Sequence, residues 1–360
     1  MLYPFFRPFL FSLDPEHAHL LSINALKLWQ ASQVRPTSAL SHPRLSQHLW
    51  GLRFPNPVGL AAGYDKNALV PLVWSSLGFG FAELGTITAK TQPGNPKPRI
   101  FRLAQDSALI NRLGFNNDGA TAIAKRLPGL LSSPHPRPVP LGFNIGKSKG
   151  TPLEEAVDDY LESSKKLLPF ADYLVVNVSS PNTPELRKLQ ETERLSKLLE
   201  ALLTYIRQFA ETSETSPKPL LVKIAPDLSE TEIGEIAQLA VSVGVSGLIA
   251  TNTTTGRRGL RSASNETGGL SGRPLARRAN EVLSTLYRAV EGQLPLIGVG
   301  GIFSAGDAYE RVRAGASLIQ IYTGMIYAGP LLAKRIVRGL VRIMERDSVS
   351  HMSQIVGKSV

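Results

Sequence analysis

The feature that most constrains the fold is a regular alternation of short apolar runs and helical patterns between residues 58 and 346. Apolar runs of strand length, each followed by a helical pattern, recur eight times. The strands are predicted at 58–62, 81–86, 139–144, 173–177, 220–224, 247–251, 296–300 and 318–322. The helices are predicted at 67–77, 118–127, 152–168, 189–209, 230–243, 275–290, 305–314 and 330–346. This count favours an α/β fold of the (β/α)8 TIM-barrel type over an open doubly wound sheet.

An apolar segment precedes the barrel. Residues 2–13 carry almost no charge, and Asp14, Pro15 and Glu16 then form a strong helix start for a second helix that runs to about residue 31. We predict a two-helix extension over 1–47, a barrel over 48–346 and a flexible tail over 347–360, with 32–56 as a linker. The extension is open to three interpretations: a packing arm, a platform on a membrane surface, or a channel for a hydrophobic ligand.

Two local patterns refine this plan. The alternating residues 99–103 predict a small hairpin inserted after the second strand. Thr151 with Glu154, and Ser229 with Glu232, both have the spacing of a capping box at a helix N-terminus.

Composition excludes several classes of site. The chain has no cysteine, which rules out disulfides, cysteine-ligated clusters, thiolate zinc sites and cysteine nucleophiles. Its net charge of +11 would attract anions, although the basic residues are scattered and no RNA-binding aromatic motif accompanies them. We therefore expect no nucleic-acid partner. No stretch approaches the ~20 apolar residues of a membrane span, and no secretory signal is recognisable.

The predicted strand ends carry amides, hydroxyls, glycines and two lysines. In a TIM barrel these ends form the catalytic face. None of them delivers a histidine or a pair of carboxylates, so a glycosidase-type pair and a histidine-ligated metal are not expected. The glycines at 298–301 and the Thr323-Gly324 pair follow the seventh and eighth strands, the usual phosphate position of such barrels. This chemistry suits a flat, anionic, hydrogen-bonding molecule.

The segment 173–183 is a buried strand that ends in a polar loop containing Asn177, Ser180, Asn182 and Thr183. Such a loop either faces a ligand or forms a turn that bonds its own backbone.

Seven motifs, taken together, resemble class 2 dihydroorotate dehydrogenases, the quinone-dependent flavoenzymes of pyrimidine synthesis. They lie at 61–66, 111–117, 177–183, 222–227, 250–254, 269–275 and 298–302, and the residues 14–19 resemble the start of the family's second N-terminal helix. The similarity covers roughly residues 1–340 in family order.

The resemblance implies the residues of three binding sites. For FMN they are Ala62, Gly63, Tyr64, Asp65, Lys66, Thr86, Asn144, Asn177, Lys223, Thr251, Gly272, Gly301, Tyr322 and Thr323. For dihydroorotate or orotate they are Lys66, Asn111, Arg112, Leu113, Gly114, Phe115, Asn177, Asn182, Asn252 and Thr253. For a quinone they are His19 and Arg102. No metal is implied.

The implied reaction is oxidation of (S)-dihydroorotate, with FMN as the bound cofactor and a membrane quinone as the acceptor. Ser180 occupies the position of the family's base, where other classes use cysteine, and it would need a relay through water and Thr183. We expect a monomer attached peripherally to anionic lipid on the cytoplasmic face of a bacterial membrane. Tyr64, Glu185 and Thr323 depart from the usual residues of the family.

Two rival functions remain at this point. One is a related flavin barrel that reduces dihydrouridine or a pyrimidine with NADPH, although no second dinucleotide domain or cluster cysteines are present. The other is a non-catalytic basic scaffold that binds a membrane or nucleic acid.

Overall fold

The computed structural model describes residues 3–32, 39–132 and 137–360. The strands in this part of the chain are β1 (Gln47–Leu49), β2 (Leu52–Phe54), β3 (Val58–Leu60), β4 (Phe81–Ile87), β5 (Ile100–Leu103), β6 (Ala108–Asn111), β7 (Leu141–Ile145), β8 (Tyr173–Asn177), β9 (Leu220–Ile224), β10 (Gly247–Ala250), β11 (Gly269–Gly272), β12 (Leu296–Val299) and β13 (Leu318–Ile321). The helices are α1 (Tyr3–Ser12), α2 (Pro15–Ser32), α3 (Ala120–Leu131), α4 (Ala156–Leu167), α5 (Thr192–Thr212), α6 (Glu230–Val243), α7 (Ala276–Val290), α8 (Ala305–Arg313), α9 (Thr323–Ala328) and α10 (Leu332–Arg346).

Eight parallel strands close into a barrel in the order β3-β4-β7-β8-β9-β10-β12-β13. Strands β8 and β9 have the predicted bounds, and the other barrel strands differ from prediction by one or two residues at an end. Because these strands are buried on both faces, their sequences are continuous apolar runs rather than alternating ones. The predicted TIM barrel is confirmed.

Aromatic rings fill the lower part of the barrel. The rings of Phe54 and Phe81 meet edge to face with their centroids 5.5 Å apart, and the Tyr173 ring lies among the same buried residues. A Cβ at Gly142 would lie 2.1 Å from that tyrosine ring, so only glycine fits there. Phe54 belongs to the antiparallel β1–β2 hairpin, which closes this end of the barrel. The prediction of a linker over 32–56 is therefore wrong for its C-terminal half.

The predicted helix over 67–77 is wrong. Only a short 3-10 helix, Trp74–Leu77, forms there. The Asp65 carboxylate accepts the backbone N–H groups of Leu69 and Val70 at 2.8 and 2.9 Å, and Ala68 adopts a positive φ of 50°. A side-chain carboxylate thus takes the donors that a first helical turn would leave free.

One of the two predicted capping boxes forms. Ser229 and Glu232 exchange both bonds at the start of α6. Thr151 instead donates its hydroxyl to Asp159 at 2.8 Å, and α4 begins only at Ala156. That prediction is wrong because a buried carboxylate competes for the Thr151 hydroxyl.

The C-terminal residues pack onto the barrel. Met352 and Ile355 are buried in a short 3-10 helix, and the backbone N–H of Met352 donates to the carbonyl of Arg44 at 2.9 Å. The expectation of a flexible tail over 347–360 is therefore wrong. Leu45 is fully buried as well, so the barrel unit begins before residue 48.

A three-stranded sheet, called the side sheet from here on, lies beside the C-terminal ends of the barrel strands. The predicted hairpin forms from β5 and β6, and β11, which the sequence did not suggest, pairs with β6 as a third strand. This sheet joins the second and sixth strand–helix connections into one wall.

Helices α1 and α2 form the predicted extension. Asp14 caps α2 by accepting the N–H groups of Glu16 and His17, both at 3.0 Å. Glu16 then binds the guanidinium of Arg99 through two contacts of 2.6 and 3.1 Å, which attaches α2 to the side sheet. In the described part of the chain, no helix is both long and apolar enough to cross a membrane.

Candidate active site

A cavity opens at the C-terminal ends of the barrel strands, with an empty volume of about 1140 Å³ counted out to its mouth. It is lined by residues from all around the barrel and from the side sheet. The predicted residues on its wall are Ala62, Gly63, Lys66, Thr86, Asn111, Leu113, Gly114, Phe115, Asn177, Ser180, Asn182, Lys223, Thr251, Asn252, Thr253, Gly272, Gly301, Tyr322 and Thr323.

Four of the residues predicted for FMN or the substrate lie elsewhere. Asn144 is buried behind the wall, where it orients Thr86 and Asn177. Asp65 stabilises the loop after β3. Arg112 turns away from the cavity to bind Glu266 and to cover the ring of Phe101. Tyr64 faces a second cavity, described below.

One end of the cavity is rich in backbone donors. Gly300 and Gly301 have φ values of 108° and 73°, and a Cβ on Gly301 would lie 2.4 Å from the Ala276 side chain. The hydroxyl of Thr323 shares a 2.9 Å hydrogen bond with that of Ser271 at the same end. Backbone N–H groups in such a glycine turn can hold a phosphate.

A buried arginine supports this turn. The Arg311 guanidinium donates to the carbonyl oxygens of Val299 and Gly300 at 2.8 and 2.6 Å. It forms no salt bridge with any carboxylate in the described ranges, and burial lowers its pKa to about 10. A positive charge thus lies beneath the donor-rich end.

The opposite wall carries the polar loop after β8. Ser180 lies on the cavity wall with 6% of its surface exposed, and its Oγ accepts the N–H of Asn182 at 3.3 Å. Asn177 Nδ2 donates to Thr86 Oγ1 at 2.9 Å, and its Oδ1 accepts from the Ser179 hydroxyl at 2.9 Å. The loop bonds its own backbone and also faces the cavity, so the two interpretations of this segment both hold.

Amides gather at the mouth. Asn182 Nδ2 donates to the carbonyl oxygen of Asn111 at 3.1 Å, and Asn252 Nδ2 donates to Ser179 Oγ at 3.0 Å. Asparagines carry both a donor and an acceptor, so this group can match the edge of a heterocycle that offers the same.

Lys66 also lines this cavity, and its amine titrates in an accessible pH range. Burial lowers its pKa to about 8, an effect that the Glu16 carboxylate opposes and the Arg99 guanidinium reinforces. An anion bound at Lys66 would favour the protonated amine.

The bottom of the cavity, inside the barrel, contains two residues that the sequence did not reveal as part of the site, Glu83 and Gln320. Glu83 is fully buried inside the barrel and accepts hydrogen bonds from Asn144, Lys223 and Gln320. The sequence does contain a signal for them: Glu83 and Gln320 each lie within an otherwise apolar strand, and a polar side chain in such a place requires buried hydrogen-bond partners.

A second cavity lies between the N-terminal helices and the barrel, with an empty volume of about 1320 Å³. Its lining is mostly apolar, and it includes both residues predicted for a quinone, His19 and Arg102. Burial holds the pKa of His19 well below its usual value, so the imidazole is neutral. Arg102 Nη1 donates to the carbonyl oxygen of Leu10 at 3.0 Å, and its guanidinium covers the Phe11 ring.

The two cavities adjoin. The side chains of Ile100, Leu109 and Tyr322 line both of them. Tyr64 stands on the apolar side, with its ring edge-to-face against His19 and its hydroxyl 2.8 Å from that of Ser22.

Fold and site together define a class. A closed parallel barrel with a glycine turn after its seventh strand, and with a polar cavity beside an apolar one, has the architecture of TIM-barrel enzymes. The sequence pattern of the Dihydroorotate dehydrogenase family matches residues 44–344. The chain belongs to the dihydroorotate dehydrogenase family of oxidoreductases, in its quinone-dependent class 2.

Individual relatives agree over the whole chain. The Dihydroorotate dehydrogenase (quinone) of Gloeobacter violaceus is 50% identical over 99% of this chain and 98% of its own length. That of Acidithiobacillus ferrooxidans is 47% identical, with both chains fully covered. Among solved structures, the Eimeria tenella enzyme in complex with ferulenol has a TM-score of 0.89 at 43% identity, covering 96% of each chain. The ligand-free enzyme of the same organism has a TM-score of 0.88, covering 96% of this chain and 99% of its own.

Proposed function

We propose that this protein oxidises (S)-dihydroorotate to orotate in the synthesis of UMP, with FMN as its bound cofactor and a membrane quinone as electron acceptor. The single observation that carries the proposal is the pair of adjoining cavities. One is polar and suited to a flavin and a heterocyclic acid; the other is apolar and suited to a quinone.

The residues of the polar cavity fit FMN. The glycine turn at 300–301 and Thr323 would hold the phosphate, with the Arg311 charge behind it. A Cβ at Gly63 would project into open space at the cavity wall, which leaves room for a flat ring against the backbone. Gln320 Oε1 is buried at this wall without a partner among the described residues. When bound, FMN would accept a hydride from the substrate and pass the electrons to the quinone.

The chain's own residues would prepare the substrate. Asn111, Asn182 and Asn252 would hold the pyrimidine ring, and Lys66 would balance its carboxylate. Ser180 Oγ would remove the proton from C5 of the substrate. A serine needs help to do so, because its alkoxide is high in energy at neutral pH.

Thr183, three residues after Ser180 in the chain, would pass this proton on. Its Oγ1 is buried and has no hydrogen-bond partner in the described part of the chain. An unpartnered hydroxyl in the same loop as the base could take part in such a relay through a water molecule.

The apolar cavity would admit the quinone. His19 in its neutral form, Arg102 and the paired hydroxyls of Tyr64 and Ser22 are its polar features. These groups would bind the carbonyl oxygens of a quinone ring, while the apolar lining would accommodate an isoprenoid chain.

The N-terminal helices would lie on the membrane. Phe5, Phe6 and Phe9 on α1 are 81%, 57% and 62% exposed, and Leu28 on α2 is 75% exposed. Such rings are costly in water and favourable at the boundary of lipid headgroups. We propose peripheral binding to anionic lipid on the cytoplasmic face of a bacterial membrane, by a monomer, since a single chain supplies the whole wall of both cavities.

The deciding experiment is anaerobic titration of the purified protein. We expect a yellow protein whose flavin absorbance is bleached by dihydroorotate and restored by a short-chain quinone. A colourless protein would support a basic scaffold instead. Bleaching by NADPH and not by dihydroorotate would support a related pyrimidine reductase.

A further inference from the structure

Glu83 is a buried charge to which nothing above gives a role in the reaction. It lies on β4, inside the barrel, with none of its surface exposed. A carboxylate in such a place costs several kcal/mol in lost hydration unless hydrogen bonds and an opposite charge offset it.

Three donors from three other strands supply that compensation. Asn144 Nδ2 donates to Glu83 Oε1 at 2.7 Å and Lys223 Nζ to the same oxygen at 3.2 Å. Gln320 Nε2 donates to Oε2 at 2.6 Å. Two of these donors, Lys223 and Gln320, also line the polar cavity.

A carboxylate only accepts hydrogen bonds, so it determines which way each neighbouring amide turns. Gln320 must turn its NH2 group toward Glu83, which leaves its Oε1 on the other side, without a partner in the described ranges. Asn144 must do the same, and its Oδ1 therefore accepts from Asn177 Nδ2 at 3.2 Å. Asn177 then has its Oδ1 free to accept from Asn252 Nδ2 at 3.3 Å.

We propose that Glu83 is a positioning residue. It determines which side-chain atoms at the bottom of the cavity act as donors and which act as acceptors, and it sets the net charge there. Through Glu83, Lys223 presents a donor to the flavin and Gln320 presents an acceptor. The pyrimidine half of a flavin offers the complementary set, with the N3–H donor flanked by acceptors. This proposal rests on the proposed function, because it concerns how the chain receives FMN.

The charge has a second effect. Lys223 stabilises negative charge that develops on a flavin, and the Glu83 carboxylate partly cancels it. Removing that carboxylate would make the bottom of the cavity more positive and favour the reduced, anionic flavin.

The test compares three variants, each reconstituted with ¹⁵N-labelled FMN. Glu83→Gln keeps the shape and removes the charge, and Gln320→Met removes the amide. Asp159→Asn is the matched control, because Asp159 is another buried carboxylate and lies outside the cavity wall. The readouts are the flavin reduction potential and the NMR resonance of the flavin N3 proton.

We expect Glu83→Gln to raise the potential and to move the N3 proton resonance upfield, since Gln320 would turn its NH2 group to the flavin. Gln320→Met should move the resonance and leave the potential close to that of the wild type. Asp159→Asn should change neither. A wild-type potential and resonance in Glu83→Gln would overturn the proposal.

If Glu83→Gln does not retain flavin, the Gln320→Met resonance decides, and an unchanged resonance there overturns the proposal as well. A wild-type protein that takes up no FMN would instead contradict the proposed function, before any variant is compared.

Discussion

Ser180 lies on the cavity wall, in a loop held by the hydrogen bonds between Asn177 and Ser179. Tyr160 also donates its hydroxyl to the carbonyl oxygen of Asn177 at 2.8 Å, from below the loop. The serine is therefore positioned by its neighbours and is almost free of hydrogen bonds itself, which suits a group that must accept a proton.

We predict that Ser180→Ala retains FMN and binds orotate but reduces the flavin about 10²–10⁴ times more slowly, the usual cost of removing a general base. Rapid mixing of the reconstituted variant with dihydroorotate measures this rate. Ser180→Cys should recover part of it, because a thiol is more acidic. Flavin reduction at the wild-type rate in Ser180→Ala would show that the proton leaves by another residue.

We predict that Lys66 makes substrate binding depend on pH. Its amine is charged below a pKa of about 8 and neutral above it. We expect the KM for dihydroorotate to rise as the pH passes through this value, because the substrate carboxylate then loses its counter-charge. In Lys66→Met the KM should be high at every pH, and a wild-type rise in that variant would assign the titration to a different group.

At the scale of elements, the turn after β12 depends on a residue from the following helix, α8. Arg311 holds the carbonyl oxygens of Val299 and Gly300, so the peptide N–H groups of this turn keep their direction. We predict that Arg311→Met weakens FMN binding by about tenfold to a hundredfold, the scale of a lost charge-assisted hydrogen bond.

Riboflavin provides the control for this effect, because it lacks the phosphate. Its affinity, measured by quenching of flavin fluorescence, should change much less than that of FMN, and Arg311→Lys should restore part of the difference. An equal loss for both flavins would limit Arg311 to supporting the barrel.

Elements with simple local signals could be predicted from the sequence. The run of β-branched residues in β8 and the capping box of α6 depend on neighbours within a few positions. The side-sheet strand β11 could not be predicted, because it forms only by pairing with β6, about 160 residues earlier. The false helix at 67–77 has a different, local cause, since the nearby Asp65 carboxylate takes the backbone donors of Leu69 and Val70, and the apolar pattern does not reveal this competition.

In the candidate site, too, some residues could be predicted from the sequence and others depend on long-range contacts. Residues at strand ends, such as Asn177 and Lys223, could be predicted because the barrel topology brings all strand ends to one face. Arg112 belongs to a matched motif, yet its side chain is drawn away by Glu266, a partner that no motif specifies. Glu83 and Gln320 were missed because their contacts form only where side chains of four strands meet inside the barrel.

At the scale of the molecule, helices α1 and α2 form a separate lid over the apolar cavity. They are attached through the Glu16–Arg99 contact and through the Gln30 side chain, which accepts the N–H of Leu72 at 2.9 Å. These helices contribute little to the barrel core, because Ile23, which is 5% exposed, is the one buried residue of α2 and α1 has none.

We predict that a variant beginning at residue 39 folds around FMN and is bleached by dihydroorotate. This start keeps Arg44, Leu45 and Gln47, whose contacts with the barrel a start at residue 48 would remove. The variant should lose turnover with a long-chain quinone and should no longer co-sediment with anionic vesicles. Turnover with a small water-soluble dye is the control and should persist.

Full retention of quinone turnover and of vesicle binding would reduce the N-terminal helices to a packing arm. Vesicle binding that is lost at high salt in the full-length protein would assign part of the attraction to the net charge of +11.

The thin wall formed by Ile100, Leu109 and Tyr322 has a kinetic meaning. Under the proposed function, dihydroorotate and the quinone would enter different cavities and would not compete for the same space. Initial rates plotted against one reactant at fixed levels of the other should give parallel lines, and orotate should compete with dihydroorotate while leaving the quinone unhindered at its separate entrance. The protein would then transfer electrons from a water-soluble acid to a membrane quinone through two separate entrances.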